Sequence, residues 1–217
     1  MMLSYQMSMF DEQTDQYMVR AIPKTDSHYW LINIHYAKRI PSISYAFGLF
    51  EFGELVGVIT YGTPPSSTLC RGICGDDWQT NVLELNRLVL KNNKPNEASR
   101  LVGASLKMLP KPSIVVSFAD TAQKHAGIVY QATNFIYTGL SNKFIDPVVK
   151  GLEHQHHATY AHGMTNKQVV AHYGAENVRW VERSRKHRYI KFVGNKTQIK
   201  QMQTAMKYPV LDYVKTD

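Results

Sequence analysis

Residues 115–139 read VVSFADTAQKHAGIVYQATNFIYTG. The apolar start, with Ile114, predicts a strand over 114–120, TAQKHAGIVYQATN a helix over 121–134, and FIYTG a second strand. A strand, a crossover helix and another strand imply a sheet with some parallel pairing. Such sheets bind ligands beyond the carboxyl ends of their strands. Ser117 and Asp120 stand at such an end, where a purely structural strand needs neither. Asp120 also has a plain structural reading, as the cap of a helix that starts at Thr121.

The same alternation extends upstream. SHYWLINIHYAKR predicts a helix over 27–39, with Ser27 as cap and Trp30, Ile34 and Ala37 at helical spacing; it ends before Pro41. SYAFGLFEFGELVGVITYG predicts a hairpin turning at Phe52-Gly53-Glu54. Residues 62–80 are rich in Gly, Pro, Ser and Asp and read as a long loop. NVLELNRLVL is a strand and ASRLVGASLKML a helix that stops before Pro110. Residues 1–26 read as an irregular lead-in. Downstream, TNKQVVAHYG reads as a helix ending at Gly174, VRWVERSRKHRYIKFVG as one basic β-rich stretch, and the tail from residue 195 as a closing helix. The fold class is therefore α/β, a mixed central sheet flanked by helices. We divide it into a catalytic core over 1–150 and a basic C-terminal extension over 151–217, packed on the same domain.

The 217 residues carry 25 Lys and Arg against 17 Asp and Glu, a formal charge of +8. That excess attracts polyanions, of which nucleic acid is the commonest. No apolar stretch is long enough to span a bilayer, and the N-terminus lacks a secretory signal, so a cytoplasmic protein with no membrane partner is expected. Cys70 and Cys74, in CRGIC, could pair on a metal but are read as ordinary loop thiols, because no second cysteine pair is present for a four-cysteine zinc site.

Four stretches carry a resemblance: HYAKRIPS (35–42), LELNRLVLKNNKPNEASRLVGASL (83–106), VVSFADTAQKHAGIVYQATNFIYTG (115–139) and KHRYIKFVG (186–194). Together they resemble the phage Mom family of DNA-modifying proteins, and the element order resembles the GNAT acyltransferase fold. The second and third stretches are the specific ones. The resemblance implies conversion of adenine in double-stranded DNA to a carbamoylmethyl adenine, which protects phage DNA from host restriction. It also implies a CoA-type small-molecule donor and an iron ion. One departure stands out: NEASRLVGAS keeps Ser99, Arg100 and Gly103 but lacks the full glycine pattern of a GNAT cofactor loop, which puts ordinary acetyl-CoA binding in doubt.

Site residues follow from both readings. Asp120 is the candidate base, metal ligand or acceptor for the adenine amine, with Ser117, His35, Tyr36 and Asn86 as further catalytic candidates. His35 and Asp120 are the metal candidates. His28, one heptad before His35, would share its helix face, although packing is the plainer role for it. Arg87, Ser99, Arg100, Gly103, Tyr130 and Asn134 are the donor-binding candidates. Arg87 lies in an apolar strand beside Glu84 and demands a partner if buried. Arg39, Arg179, Arg183, Arg185, Lys186, Arg188 and Lys191 are the candidate DNA contacts, with Trp180 and Tyr189 between them to stack or to anchor. The EHQHH cluster (His154, His156, His157) could bind a metal, although a mobile exposed loop patch is the plainer reading, and His125 at a helix start is open in the same way. Two other functions fit the same chain: a GNAT acyl-CoA N-acyltransferase acting on a small amine or protein, and a DNA-binding protein without catalysis. A homodimer fits as well.

Overall fold

The computed structural model describes residues 16–215, apart from 154 and 156. The strands are β1 (Tyr17–Ala21), β2 (Tyr45–Glu51), β3 (Glu54–Gly62), β4 (Val82–Leu90), β5 (Ser113–Asp120), β6 (Ile136–Leu140), β7 (Ile145–Val149), β8 (Val178–Glu182) and β9 (Lys186–Val193). Seven of them form one sheet in the order β1-β2-β3-β4-β5-β9-β6, and β7 pairs with β8 in a separate ribbon. Every pairing is antiparallel except β4 with β5. The result is a mixed α/β fold whose largely antiparallel sheet carries helices on both faces.

The expected hairpin forms: Phe52 and Gly53 take φ of 48° and 84° between β2 and β3, the double left-handed geometry of a tight turn that matches strand twist. β5 alternates between two cores, which explains its nearly unbroken apolar run. Val115 and Ala119 pack with Leu101, Val102 and Leu106 of helix α3 (Glu97–Met108). Ile114 and Val116 pack with Cys70, Ile73 and Cys74 of α2 (Ser67–Cys74) and Met202 of α7 (Lys196–Ala205).

Several local expectations change. The lead-in yields β1, paired with β2; residues 1–15 lie outside the described residues. The long loop at 62–80 is instead α2 followed by a 3-10 turn over Asp76–Asn81. Ser66 caps α2 by accepting from Leu69 N, and Gly75 at φ 95° stops it. Cys70 and Cys74 are therefore helical core thiols, one turn apart on the buried face. Burial pushes the Cys74 thiol up to about 11. The first helix starts earlier and ends sooner than expected. It comprises α1 (Lys24–Tyr29) and a π-helical turn over Trp30–Ile34, with His35 already extended. The wider turn breaks the heptad relation, so His28 and His35 do not share a helix face. The helix expected at 121–134 shrinks to a 3-10 turn and α4 (Ile128–Ala132), because Lys124 and Gly127 take φ of 54° and 76° between them.

The basic stretch divides in two. β8 lies in the outer ribbon over α5 (His157–Ala161) and α6 (Asn166–Tyr173), while β9 inserts into the main sheet between β5 and β6. His154 and His156 lie outside the described residues; His157 packs edge-on to Tyr160.

Candidate active site

The site arises where the parallel pair parts. β4 and β5 are in register only over Val82–Leu85 and Ile114–Ser117. One residue further on, β4 carries a bulge: Tyr61 faces Leu85 and Thr60 faces Arg87, so Asn86 is the extra residue. Bulges bend a strand and re-aim its side chains. Ser117 holds the vertex. It is fully buried, and its Oγ donates to Leu85 O at 2.9 Å. It clamps the strands together and does not face an opening.

Beyond the vertex is a cavity of about 430 Å³, lined among others by His35, Tyr36, Glu84, Arg87, Tyr130 and Lys186. The carboxylate inside it is Glu84. Burial raises its carboxyl above the usual range against the pull of Arg87, Lys186 and Arg39. Arg87 is partly buried and donates to Asn86 O, but its Nε is buried with no acceptor among the described residues. Burial and the nearby Arg39 lower its affinity for the proton. A buried donor without a partner costs about 1–3 kcal/mol, and an anionic or carbonyl ligand would remove that cost. Tyr130 is wedged between Phe135 and Tyr189, and burial pushes its phenol up to about 12 against the opposing effect of a hydrogen bond with Ser117. It stays protonated and can donate.

Tyr36 stacks on His35 with ring centroids 4.4 Å apart and meets His125 edge-on. His35 Nδ1 accepts from Ala37 N at 3.0 Å, and burial, Arg87 and His125 hold its basicity down to about 4. At neutral pH it is a neutral imidazole whose proton sits on Nε2, a donor rather than a base or a ready ligand. Asp120 lies beside the cavity, next to the lining residue Ala119, without lining it itself. Its Oδ1 accepts from Ala122 N at 2.9 Å and its Oδ2 lies 3.6 Å from Lys186 Nζ. The capping role is therefore real. No three His, Cys, Asp or Glu side chains converge among the described residues. With the Nδ1 lone pair of His35 engaged and no third partner, these residues do not fit a resident iron, and no step is routed through one. Asn86 spends its carboxamide on Thr60 Oγ1 and Ser42 O, which makes it a brace for the 35–44 segment.

A second, larger opening of about 780 Å³ lies between α3, the end of α4 and β9, and includes Ser99, Arg100, Gly103, Lys107, Asn134 and Lys191. Its charged lining residues are all cations: Arg100, Lys107, Lys111 and Lys191. A Cβ at Gly103 would meet nothing within 4 Å, so glycine there opens the wall rather than permitting a packing contact. The two openings share no lining residue but flank the start of α3, where Ala98 lines the cavity and Ser99 the groove. Their amides lie in the first turn and have no intrahelical acceptor. Glu97 is turned inward to Lys94 N and Tyr17 OH. Amides without an intrahelical acceptor at this helix start, beside a groove lined by four cations, fit a phosphate-bearing donor.

The expected DNA contacts are dispersed. Lys186 lines the cavity, and Arg39 is felt electrostatically by Glu84 and Arg87. Lys191 lines the groove while donating to Thr133 O and Asn134 O. Arg188 lies 3.5 Å above the Tyr208 ring and bonds Thr138, and Arg185 bonds Ser141 O. Arg183 is engaged by both oxygens of Asp146 and Arg179 is exposed on the ribbon. Only Ser184, with no Gly or Pro beside it, marks the division between β8 and β9. Glu84 was noted only as a neighbour of Arg87; its alternation with Leu83 and Leu85 was the signal for an inward carboxylate.

These features define a mixed α/β protein with a cavity beside the parallel pair β4 and β5, the one such pair among the described residues. The chain belongs to the Mom protein family, which matches residues 16–215. It is 35% identical over 111 residues to methylcarbamoylase Mom of Escherichia phage Mu, a match covering 48% of this chain and 46% of that protein. The chain thus spans about half the length of the curated relative it matches. Solved structures with a similar outline include a GNAT-family acetyltransferase from Bacillus cereus (12% identity, 81% of this chain and 96% of that one, TM-score 0.43). An N-acetyltransferase from Staphylococcus aureus Mu50 (13%, 82% and 98%, 0.45) is another, as is the ribosomal-protein-S18-alanine N-acetyltransferase from Escherichia coli (8%, 82% and 94%, 0.45). No helix among the described residues is long and apolar enough to cross a membrane.

Proposed function

We propose that this protein is a transferase that places a carbamoylmethyl group on the exocyclic amine of adenine in double-stranded DNA, and so shields phage DNA from restriction. Family membership and the name of the phage Mu relative support the reaction; the charge of +8 supports the polyanionic substrate. The observation that carries the reading is the cavity at the strand vertex. It combines an aromatic mouth, an inward carboxylate of raised basicity, an arginine Nε without an acceptor and a protonated phenol.

Adenine's amine is enclosed in the duplex, so the base is everted into the site. Its ring stacks on Tyr36. The amine is a weak nucleophile because its lone pair is delocalised into the ring. As the nitrogen's electron pair forms the bond to the donor's methylene carbon, the bond to the leaving group breaks and its electrons depart with that group. Glu84 takes the amine proton, its raised basicity suiting it to work near neutral pH. Tyr130 keeps its proton and donates a hydrogen bond to the departing group, Arg87 holds the carboxamide oxygen and His35 donates from Nε2. Asp120, beside the cavity, accepts from the second amine hydrogen while its other oxygen keeps the cap. A CoA-type donor would lie across the start of α3, held by the amides of Ala98 and Ser99 with Arg100 and Lys191.

Nucleoside mass spectrometry of DNA from cells expressing the protein tests this. A carbamoylmethyl-adenosine mass is expected. Unmodified DNA together with an acylated amine substrate would assign the protein as an ordinary N-acyltransferase, and DNA affinity without any new nucleoside would leave a binding protein.

A further inference from the structure

The segment between His35 and Ser44 has a build that the cavity chemistry does not require. Both ends are fastened. At one end His35 N donates to Trp30 O at 2.9 Å, and Ala37 N and Lys38 N donate back to His35 Nδ1 and His35 O, closing a turn in which Lys38 takes φ 41°. At the other, Asn86 Nδ2 donates to Ser42 O at 2.8 Å and Ser44 N donates to Tyr61 O at 2.8 Å. Gly62 permits this seat, because a Cβ there would lie 1.8 Å from Ser42 O. Pro41 removes a donor and holds Ile40 out of the helical region. What lies between the anchors is a stiff exposed turn, and it presents apolar side chains: Tyr36 is 57% and Ile40 42% exposed. Exposed apolar groups on a stiff turn beside a cavity mark a contact surface.

Charge says what kind. No Asp or Glu occurs between Asp26 and Glu51, while Lys38 and Arg39 sit immediately before Ile40. Arg39 lies close enough to the cavity to act on Glu84 and Arg87. Cations beside an apolar tip, at the mouth of a base-sized cavity, complement a phosphate backbone with an opened base stack.

We infer that Ile40 is a wedge that enters the duplex and fills the space vacated by the everted base, with Lys38 and Arg39 on the flanking phosphates. This rests on the DNA reading above and adds to it the device that keeps the base out. Filling the gap offsets the loss of stacking, which is a few kcal/mol per step.

The test is binding of the full protein, without donor, to two short duplexes of one sequence, one fully paired and one with a single abasic site. An abasic site removes the unstacking cost and leaves the gap for the wedge. The unaltered protein should prefer it on the order of tenfold. Ile40→Ala should reduce that preference to about twofold or less, while Ile40→Phe retains it. Lys38→Ala should weaken binding to both duplexes alike and flatten the salt dependence by about one ion. An unchanged preference in Ile40→Ala overturns the wedge. So does a dimer that Ile40→Asp dissociates, because the segment would then face a second copy. Failure to bind either duplex at low salt overturns the DNA reading as well, whereas normal modification of DNA with no abasic preference overturns the wedge alone.

Discussion

The cavity at the strand vertex and the groove beside α3 differ in kind. The groove is the larger, about 780 Å³ against about 430 Å³, yet its charged groups are all cations on a partly aliphatic floor. The smaller cavity mixes a carboxylate, an arginine, a phenol and stacked rings. Volume therefore does not mark the chemistry. A groove of one sign holds an anion, while groups of opposed sign in partial burial move protons. The first experiments should try to erase that division.

Glu84→Gln carries the largest expected effect. Losing a general base costs roughly 10²- to 10⁴-fold in rate. In the unaltered protein, modification should rise with pH through a value above the ordinary carboxylate range, because burial raises the Glu84 carboxyl. Folding should respond in the opposite sense. A carboxyl whose folded value exceeds its unfolded one adds stability below the unfolded value and loses it as pH rises through the folded one. Glu84→Gln should therefore melt higher than the unaltered protein at pH 8 and show no such gain at pH 4. A lower melting temperature at pH 8 would make Glu84 a structural ion-pair partner instead.

Arg87→Met comes second. Removing a donor aimed at developing charge costs on the order of 10²-fold in kcat. Stability should hold or rise, since apolar replacement of a poorly partnered buried ion is often neutral or favourable. Loss of folding with this variant would mean that Nε has an acceptor in solution and that the arginine braces the bulge.

Much of this division was visible in the sequence, and what was hidden had physical causes. Alternating apolar residues gave β2–β4, and Phe52-Gly53 gave the turn, because local geometry alone sets them. The run 114–120 placed the strand end correctly. The π turn at Trp30–Ile34 left no mark, since one extra residue in a turn does not disturb apolar spacing over so short a helix. The left-handed Lys124 broke the expected helix without a glycine at that position. Ser117 read as a catalytic candidate because a serine in an apolar strand looks misplaced; its carbonyl partner, Leu85, comes from 32 residues away. Glu84 alternates with Leu83 and Leu85, so its face was legible, whereas the bulge at Asn86 just beyond it shows only in the strand pairing.

Asp120→Asn is the third test and separates the cavity from its surroundings. Asparagine caps about as well as aspartate, so the turn at 121–123 should persist. What goes is the attraction to Lys186 and one strong acceptor for the amine, about a tenfold loss of modification. A loss as deep as that of Glu84→Gln, with the pH dependence abolished, would move the base from the cavity to its edge.

The smallest effect belongs to the groove. Lys107 is exposed on α3 and lines it. A surface cation facing a phosphate contributes up to about 1 kcal/mol, roughly a fivefold change in affinity, screened by salt. Coenzyme A, used as a calorimetric probe, should bind Lys107→Ala about three- to fivefold more weakly at low salt, with the difference fading as salt rises. Glu84→Gln should bind the probe as the unaltered protein does, because its carboxylate faces the other opening. If both substitutions shift coenzyme A affinity equally, the two openings act as one electrostatic unit and the separation of holding from reacting is lost. If neither does, the donor lacks phosphates, and the first-turn amides of Ala98 and Ser99 serve some other anion.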